Sequence, residues 1–220
     1  MLYRLLIYPL PDGISLHQLD KKTAQKHFEW FVDSIPERME YFTSFLGRNG
    51  YDSKLLDYSE QSLQSSWKWF VDRVEFVDRP KAEIKQDKKR YPPGQDANIN
   101  TKTIERTWRF LMYDFGVYVG ECMTHNFEQL HWQMIEKPKN GAYFQHATVG
   151  GFNRPFAFAP QEQMLVLCDK LMRGRGKYYL LSGMYKVWTL TETPGNPYSA
   201  LSSGELLKAM KELNKASESM

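Results

Sequence analysis

Residues 104–125, IERTWRFLMYDFGVYVGECMTH, constrain the fold more than any other stretch of the chain. Wound into a helix at about 100° per residue, they gather Ile104, Trp108, Leu111, Phe115, Val119 and Cys122 into one apolar sector. That sector predicts a core face. Gly116 and Gly120 lie together on an adjoining side, where the missing Cβ lets another backbone approach closely. Each glycine costs a helix about 1 kcal/mol relative to alanine. A pair at this spacing therefore predicts a packing seam against a neighbouring element.

The same winding places Asp114, Glu121 and His125 within about 40° of one another, with Tyr118 at the edge of the apolar face. Together with Trp132, which follows on a strand-like segment, these are the candidate binding residues. Asp, Glu and His are the right ligand types for a divalent metal. However, Asp114 and Glu121 sit roughly 10 Å apart along a helix axis, too far for one ion to bind both directly. The expectation is a hydrogen-bonded, buried Glu121 and a solvated or salt-bridged Asp114, with no metal and no cofactor. His125, His131 and His146 can be drawn with Glu121 as a zinc site, but their spacing matches neither H-E-x-x-H nor a Cys/His knuckle. Asp114-Phe115-Gly116 spells the kinase magnesium triplet without the glycine-rich loop or the H-R-D-x-x-x-x-N that would give it meaning. Gly150-Gly151 and the glycines of Arg173–Lys177 fall short of a phosphate-binding loop and read as turns. No catalytic residue is assigned.

The rest of the chain alternates helical and strand-like patterns. LYRLLIY, ahead of Pro9, reads as a first strand. Phe28, Phe31, Val32, Ile35, Met39, Phe42 and Leu46 form a helical stripe that runs through Pro36, which predicts two helices or one with a sharp break. Ser59 caps a helix carrying Leu63, Trp67 and Phe70. Arg79 to Asn100 lose periodicity and predict a mobile loop, after which Asn100 or Thr101 caps the central helix. LHWQMIEK and AYFQHATVGGF read as strands, and QEQMLVLCDKLMRGRG as a helix closed by glycine. KYYLLSGMYKVWTLTET favours a strand at its Val187 end, and Ser202 to Glu205 cap a last helix. This mixture predicts one α+β domain over residues 1–220, with one mainly antiparallel sheet packed against several amphipathic helices.

Aromatic residues make up 15% of the chain and hydrophobic residues 42%, enough to exclude disorder over most of its length. The net charge is only +3, so no global field marks a nucleic-acid or membrane-surface protein. Two local groups carry a nucleic-acid alternative, Lys88, Lys89 and Arg90 in the predicted loop, and Arg173, Arg175 and Lys177 beside Tyr178 and Tyr179. A solvated surface is the favoured reading of both. Cys122 and Cys168 sit among apolar residues and read as reduced core thiols. The N-terminal apolar run is too short to span a bilayer and lacks a cleavage signal, so a cytoplasmic protein without a membrane partner is expected.

The helix DFGVYVGE, followed by LHW and KPKN, is similar to sequences of small uncharacterised bacterial proteins. LLDYSEQSLQSSWKWF and the later MLVLCDKLMRGRG helix share that likeness, which spans Leu55 to Gly176. Some proteins with this D-x-G-x-Y-x-G-E helix and a following Trp resemble the immunity proteins of bacterial polymorphic-toxin systems. The resemblance implies a non-enzymatic module that binds another protein. A metal-dependent hydrolase ranks below both this reading and nucleic-acid binding, and the oligomeric state is not legible.

Overall fold

The computed structural model describes residues 3–8, 10, 14–90, 99–153, 157–174, 178–190, 192 and 205. The fold is α+β and is organised around a central helix, α4 (Arg106–Asn126). Leu111, Phe115, Val117, Val119, Cys122 and Met123 of α4 are wholly buried, because this helix has partners on every side but its ends. Before it come α1 (Lys21–Arg48), α2 (Glu60–Val71), β1 (Phe76–Asp78), α3 (Lys81–Arg90) and β2 (Lys102–Ile104). After it come β3 (His131–Met134), β4 (Ala147–Gly150), α5 (Pro160–Met172) and α6 (Leu180–Thr189). One contiguous core runs from Tyr3 to Tyr185. At its centre the Trp67 and Phe70 rings stack at 5.2 Å, and Phe115 sets its edge against Trp67 at 5.9 Å and against Phe42 at 5.4 Å.

The strands do not join into the single sheet expected. β1 pairs antiparallel with β2, with Phe76 opposite Ile104, and β3 pairs antiparallel with β4, with Trp132 opposite Val149. The β4 strand ends at Gly150, and the next residue is Gly151, whose φ of +86° and close approach to the Gln129 carbonyl exclude a side chain there.

Helix α1 is one continuous helix, where the sequence predicts a break at Pro36. Proline withholds an N–H from the carbonyl of the residue four before it. Here that residue is Val32, which is 36% exposed, so water can take the released acceptor. The buried face on the opposite side of α1, with Phe31, Ile35, Phe42 and Leu46, supplies the packing that holds the helix together. Asp20 caps its start by accepting from the Lys22 and Thr23 N–H groups.

Four other expectations are corrected. Tyr3–Tyr8 form no strand, because side chains of α1 take their backbone groups: Tyr41 accepts from the Arg4 N–H and Arg38 donates to the Leu6 carbonyl. Lys81–Arg90, placed in a mobile loop, are helical. Charge pairing organises that helix in place of an apolar stripe, with Arg79 clasping Glu83 at 3.6 Å and Asp87 at 2.7 Å along one side. Asn100 and Thr101 do not cap α4, since β2 intervenes and Glu105 caps instead, accepting from the Thr107 N–H at 2.7 Å. Val187 lies in α6, where Leu181 and Tyr185 repeat at helical spacing into the core and override the strand preference of a β-branched residue. Residues 91–98 of the predicted loop, and the last predicted helix apart from Glu205, lie outside the described residues. Among the described residues, no helix is long and apolar enough to cross a membrane.

Candidate functional site

The two glycines of α4 form the predicted seam with different partners. A Cβ on Gly116 would lie 2.7 Å from Gln161 Cα and 2.9 Å from its backbone nitrogen, so the first turn of α5 rests directly on this point. A Cβ on Gly120 would overlap the Trp132 ring, whose Cζ2–Cη2 edge reaches that glycine and whose plane meets Phe31 edge-on at 5.1 Å. The seam thus carries Trp132 of β3 to the side of α4 that bears Glu121. There the indole Nε1–H donates to Glu121 Oε1 at 2.7 Å.

The remaining candidate residues do not converge. Asp114 is 1% exposed and belongs to a buried node: it accepts from Arg38 Nη1 at 2.9 Å and from the Tyr3 hydroxyl at 2.7 Å. It is salt-bridged, as one of the two sequence alternatives has it, and not solvated. Arg38 is equally buried, donates also to Ser34 Oγ and to the Leu6 carbonyl, and lies 5.1 Å from the Trp30 ring centroid. Burial pushes the Asp114 carboxyl above its ordinary range, and Arg38 and Tyr3 oppose that push. Tyr118 exchanges a 2.6 Å hydrogen bond with Ser62 Oγ and accepts from the Tyr58 N–H at 3.3 Å. His125 stands 5.1 Å from the Tyr58 ring. Among the described residues, no three His, Cys, Asp or Glu side chains gather as a metal site would require.

What does assemble is an open groove between α1 and α4, lined by Ile35, Pro36, Met39, Glu40, Thr43, Ser44, Tyr58 and Glu121. Ile35 and Met39 make a buried apolar floor, and Pro36 and Glu40 stand exposed on the α1 ridge. Tyr58 and Glu121 make the facing wall. Tyr58 is held in the left-handed region at φ +64°, a conformation that costs a non-glycine residue about 1–3 kcal/mol. Two α4 side chains fix it there, Tyr118 through the Tyr58 N–H and Asn126 by donating to its carbonyl at 2.7 Å. Burial raises the Glu121 carboxyl above its ordinary pKa, against the Trp132 N–H and the nearby His125.

Of the sequence candidates Asp114, Tyr118, Glu121, His125 and Trp132, only Glu121 lines this groove, and sequence reasoning missed Tyr58, Pro36 and Glu40. Pro36 carried a readable signal, since a proline inside a helical stripe marks the outward side. The left-handed backbone of a tyrosine leaves no mark in sequence. His146, grouped with His125 and His131 by position, instead faces His17 at 5.4 Å between ring centroids and Glu162 at 3.7 Å, near His27 in a separate small cavity.

Of the residues behind the nucleic-acid alternative, Lys88 and Lys89 are exposed on α3, and Arg173 ends α5 paired with Asp169 at 2.8 Å. Asn100 bonds both Asp169 and Arg79, so the two basic segments meet at arginines already tied to carboxylates. The Arg90 side chain, Arg175 and Lys177 lie outside the described residues. No family model, curated protein or solved structure matches the chain.

Proposed function

We propose that the chain is a non-enzymatic protein-binding module, immunity-like as the motif of α4 implies, and that it docks its partner in the groove between α1 and α4. The observation that carries this reading is the groove itself. An apolar floor is set between exposed ridges and bordered by Tyr58, an aromatic residue whose strained backbone is pinned on both sides. Aromatic anchors beside apolar pockets are the usual currency of binding energy at protein interfaces. Asp114, the carboxylate best placed for acid–base chemistry by burial, is taken up by Arg38 and Tyr3. Cys122 and Cys168, both buried and unpaired, suit a reducing compartment such as a bacterial cytoplasm.

A photo-crosslinking residue at Thr43, inside the groove, tests this in the native host against the same residue at Leu165, exposed on the outer face of α5. Covalent adducts of one discrete mass at Thr43 and none at Leu165 are the expected result. Absence of adducts at Thr43, or the same adducts at both positions, would contradict it.

A further inference from the structure

We infer that the groove accepts a cationic segment of its partner, an arginine or lysine side chain set beside an apolar one. This rests on the reading of the groove as a docking surface and adds the chemistry of what docks there. Glu40 and Glu121 line the groove from opposite walls. Glu29, Asp33 and Glu37 continue the exposed ridge of α1 alongside Glu40, spaced so that they share its outward side. Among the described residues none of these five carboxylates has an ion-pair partner within 4 Å. Arg4 and Arg48 share the far flank of α1 with Glu37 and Glu40 without reaching either, and Arg48 donates instead to Ser44 Oγ at 2.8 Å. Lys22 and Lys26 lie on the same side nearer the start of α1, so the acidic run is confined to Glu29–Glu40, in a chain whose net charge is +3.

Glu121 gives the inference its position. Its Oε1 accepts from Trp132, which fixes the carboxylate, and among the described residues its Oε2 takes no hydrogen bond. A half-buried carboxylate that His125 stands near without forming an ion pair is costly to desolvate further, so an apolar occupant alone would pay to cover it. An occupant bringing its own cation removes that cost and makes a charge-assisted hydrogen bond. Ile35, Pro36, Met39 and Tyr58 between the two glutamates supply contact for the neighbouring apolar side chain.

The Trp132 indole N–H, bonded to Glu121, is a built-in reporter in nitrogen–proton correlation spectra. Two capped tripeptides serve as probes, arginine-leucine-arginine and its acidic twin glutamate-leucine-glutamate. The basic peptide is expected to shift the Trp132 indole signal saturably and to bind more weakly as salt is raised. Glu40→Gln with Glu121→Gln keeps an acceptor for Trp132 and is expected to weaken that binding by about tenfold. Glu40→Gln alone, at an exposed ridge position, is expected to weaken it about threefold and keeps the test valid should the double variant not fold. No shift with the basic peptide, an equal shift with the acidic one, or unchanged affinity in the folded variants would overturn the inference. If any of these accompanies site-specific adducts at Thr43, only the cationic chemistry fails. Loss of the Thr43 adducts removes the docking surface itself.

Discussion

Asp114 and Glu121 come from one helix and lie two turns apart, yet they occupy opposite environments. Asp114 is sealed in, its oxygens divided between Arg38 and Tyr3, and through them it ties the N-terminal segment and α1 to α4. Glu121 is half-buried at a groove wall, with one oxygen committed to Trp132. The difference follows from the neighbours. α1 presents Arg38 on its buried face where it crosses Asp114, and presents Pro36, Glu40 and Thr43 where it borders Glu121. A carboxylate's role here is set by the side of α1 that it meets.

The largest expected effect breaks the node. Arg38→Met leaves Asp114 buried without its cation and is expected to cost about 3–5 kcal/mol by urea denaturation. Pairing it with Asp114→Leu removes the stranded charge, and that double variant is expected to recover most of the loss. Recovery would show that the penalty lies in the unpaired charge and not in lost contact area.

The seam comes next. Gly116→Leu is expected to cost about 1–3 kcal/mol or more, because the atoms in its way are backbone at the start of α5. Gly120→Leu meets the Trp132 side chain, which can rotate, so its cost is expected to be smaller. The Gly120 variant should also displace the Trp132–Glu121 bond and with it the indole signal. Equal costs, with that signal unmoved, would remove the seam as the support of the groove wall.

A smaller effect separates the groove from the histidine cavity. Burial lowers the pKa of His27 and of His146 below the ordinary 6.5, with Glu162 opposing it at His146. The unfolded chain then binds more protons than the folded one just below that value, so stability is expected to fall as pH drops through it. Asp114 and Glu121, whose pKa values are raised, act with the opposite sign as they take up protons. The difference between the wild-type chain and His27→Gln isolates the histidine contribution: thermal midpoints followed from pH 7.5 to 5 are expected to fall less steeply in the variant.

The sequence disclosed the central helix, its apolar sector and its glycine seam because these obey a helical period that local residues set. It disclosed the Ser59 cap and the glycine-closed α5 for the same reason. Arg38 was invisible as a buried residue, since arginine is ordinarily exposed and its partners Asp114 and the Leu6 carbonyl lie far away in the chain. α3 was missed because its order comes from Arg79, Glu83 and Asp87, which a search for apolar periodicity passes over. The groove required α1 and α4 to be brought side by side, and only Glu121, Tyr118 and their neighbours on α4 could be read from one element.

The most direct measurement of the contrast is urea denaturation of Asp114→Asn and Glu121→Gln side by side. Asp114→Asn strands Arg38 in the core and is expected to lose about 3–5 kcal/mol. Glu121→Gln keeps an oxygen for the Trp132 N–H and is expected to stay within about 1 kcal/mol of the wild-type chain. Equal losses from the two substitutions would contradict the division of α4 into a carboxylate sealed in a buried ion pair and one set at the groove wall.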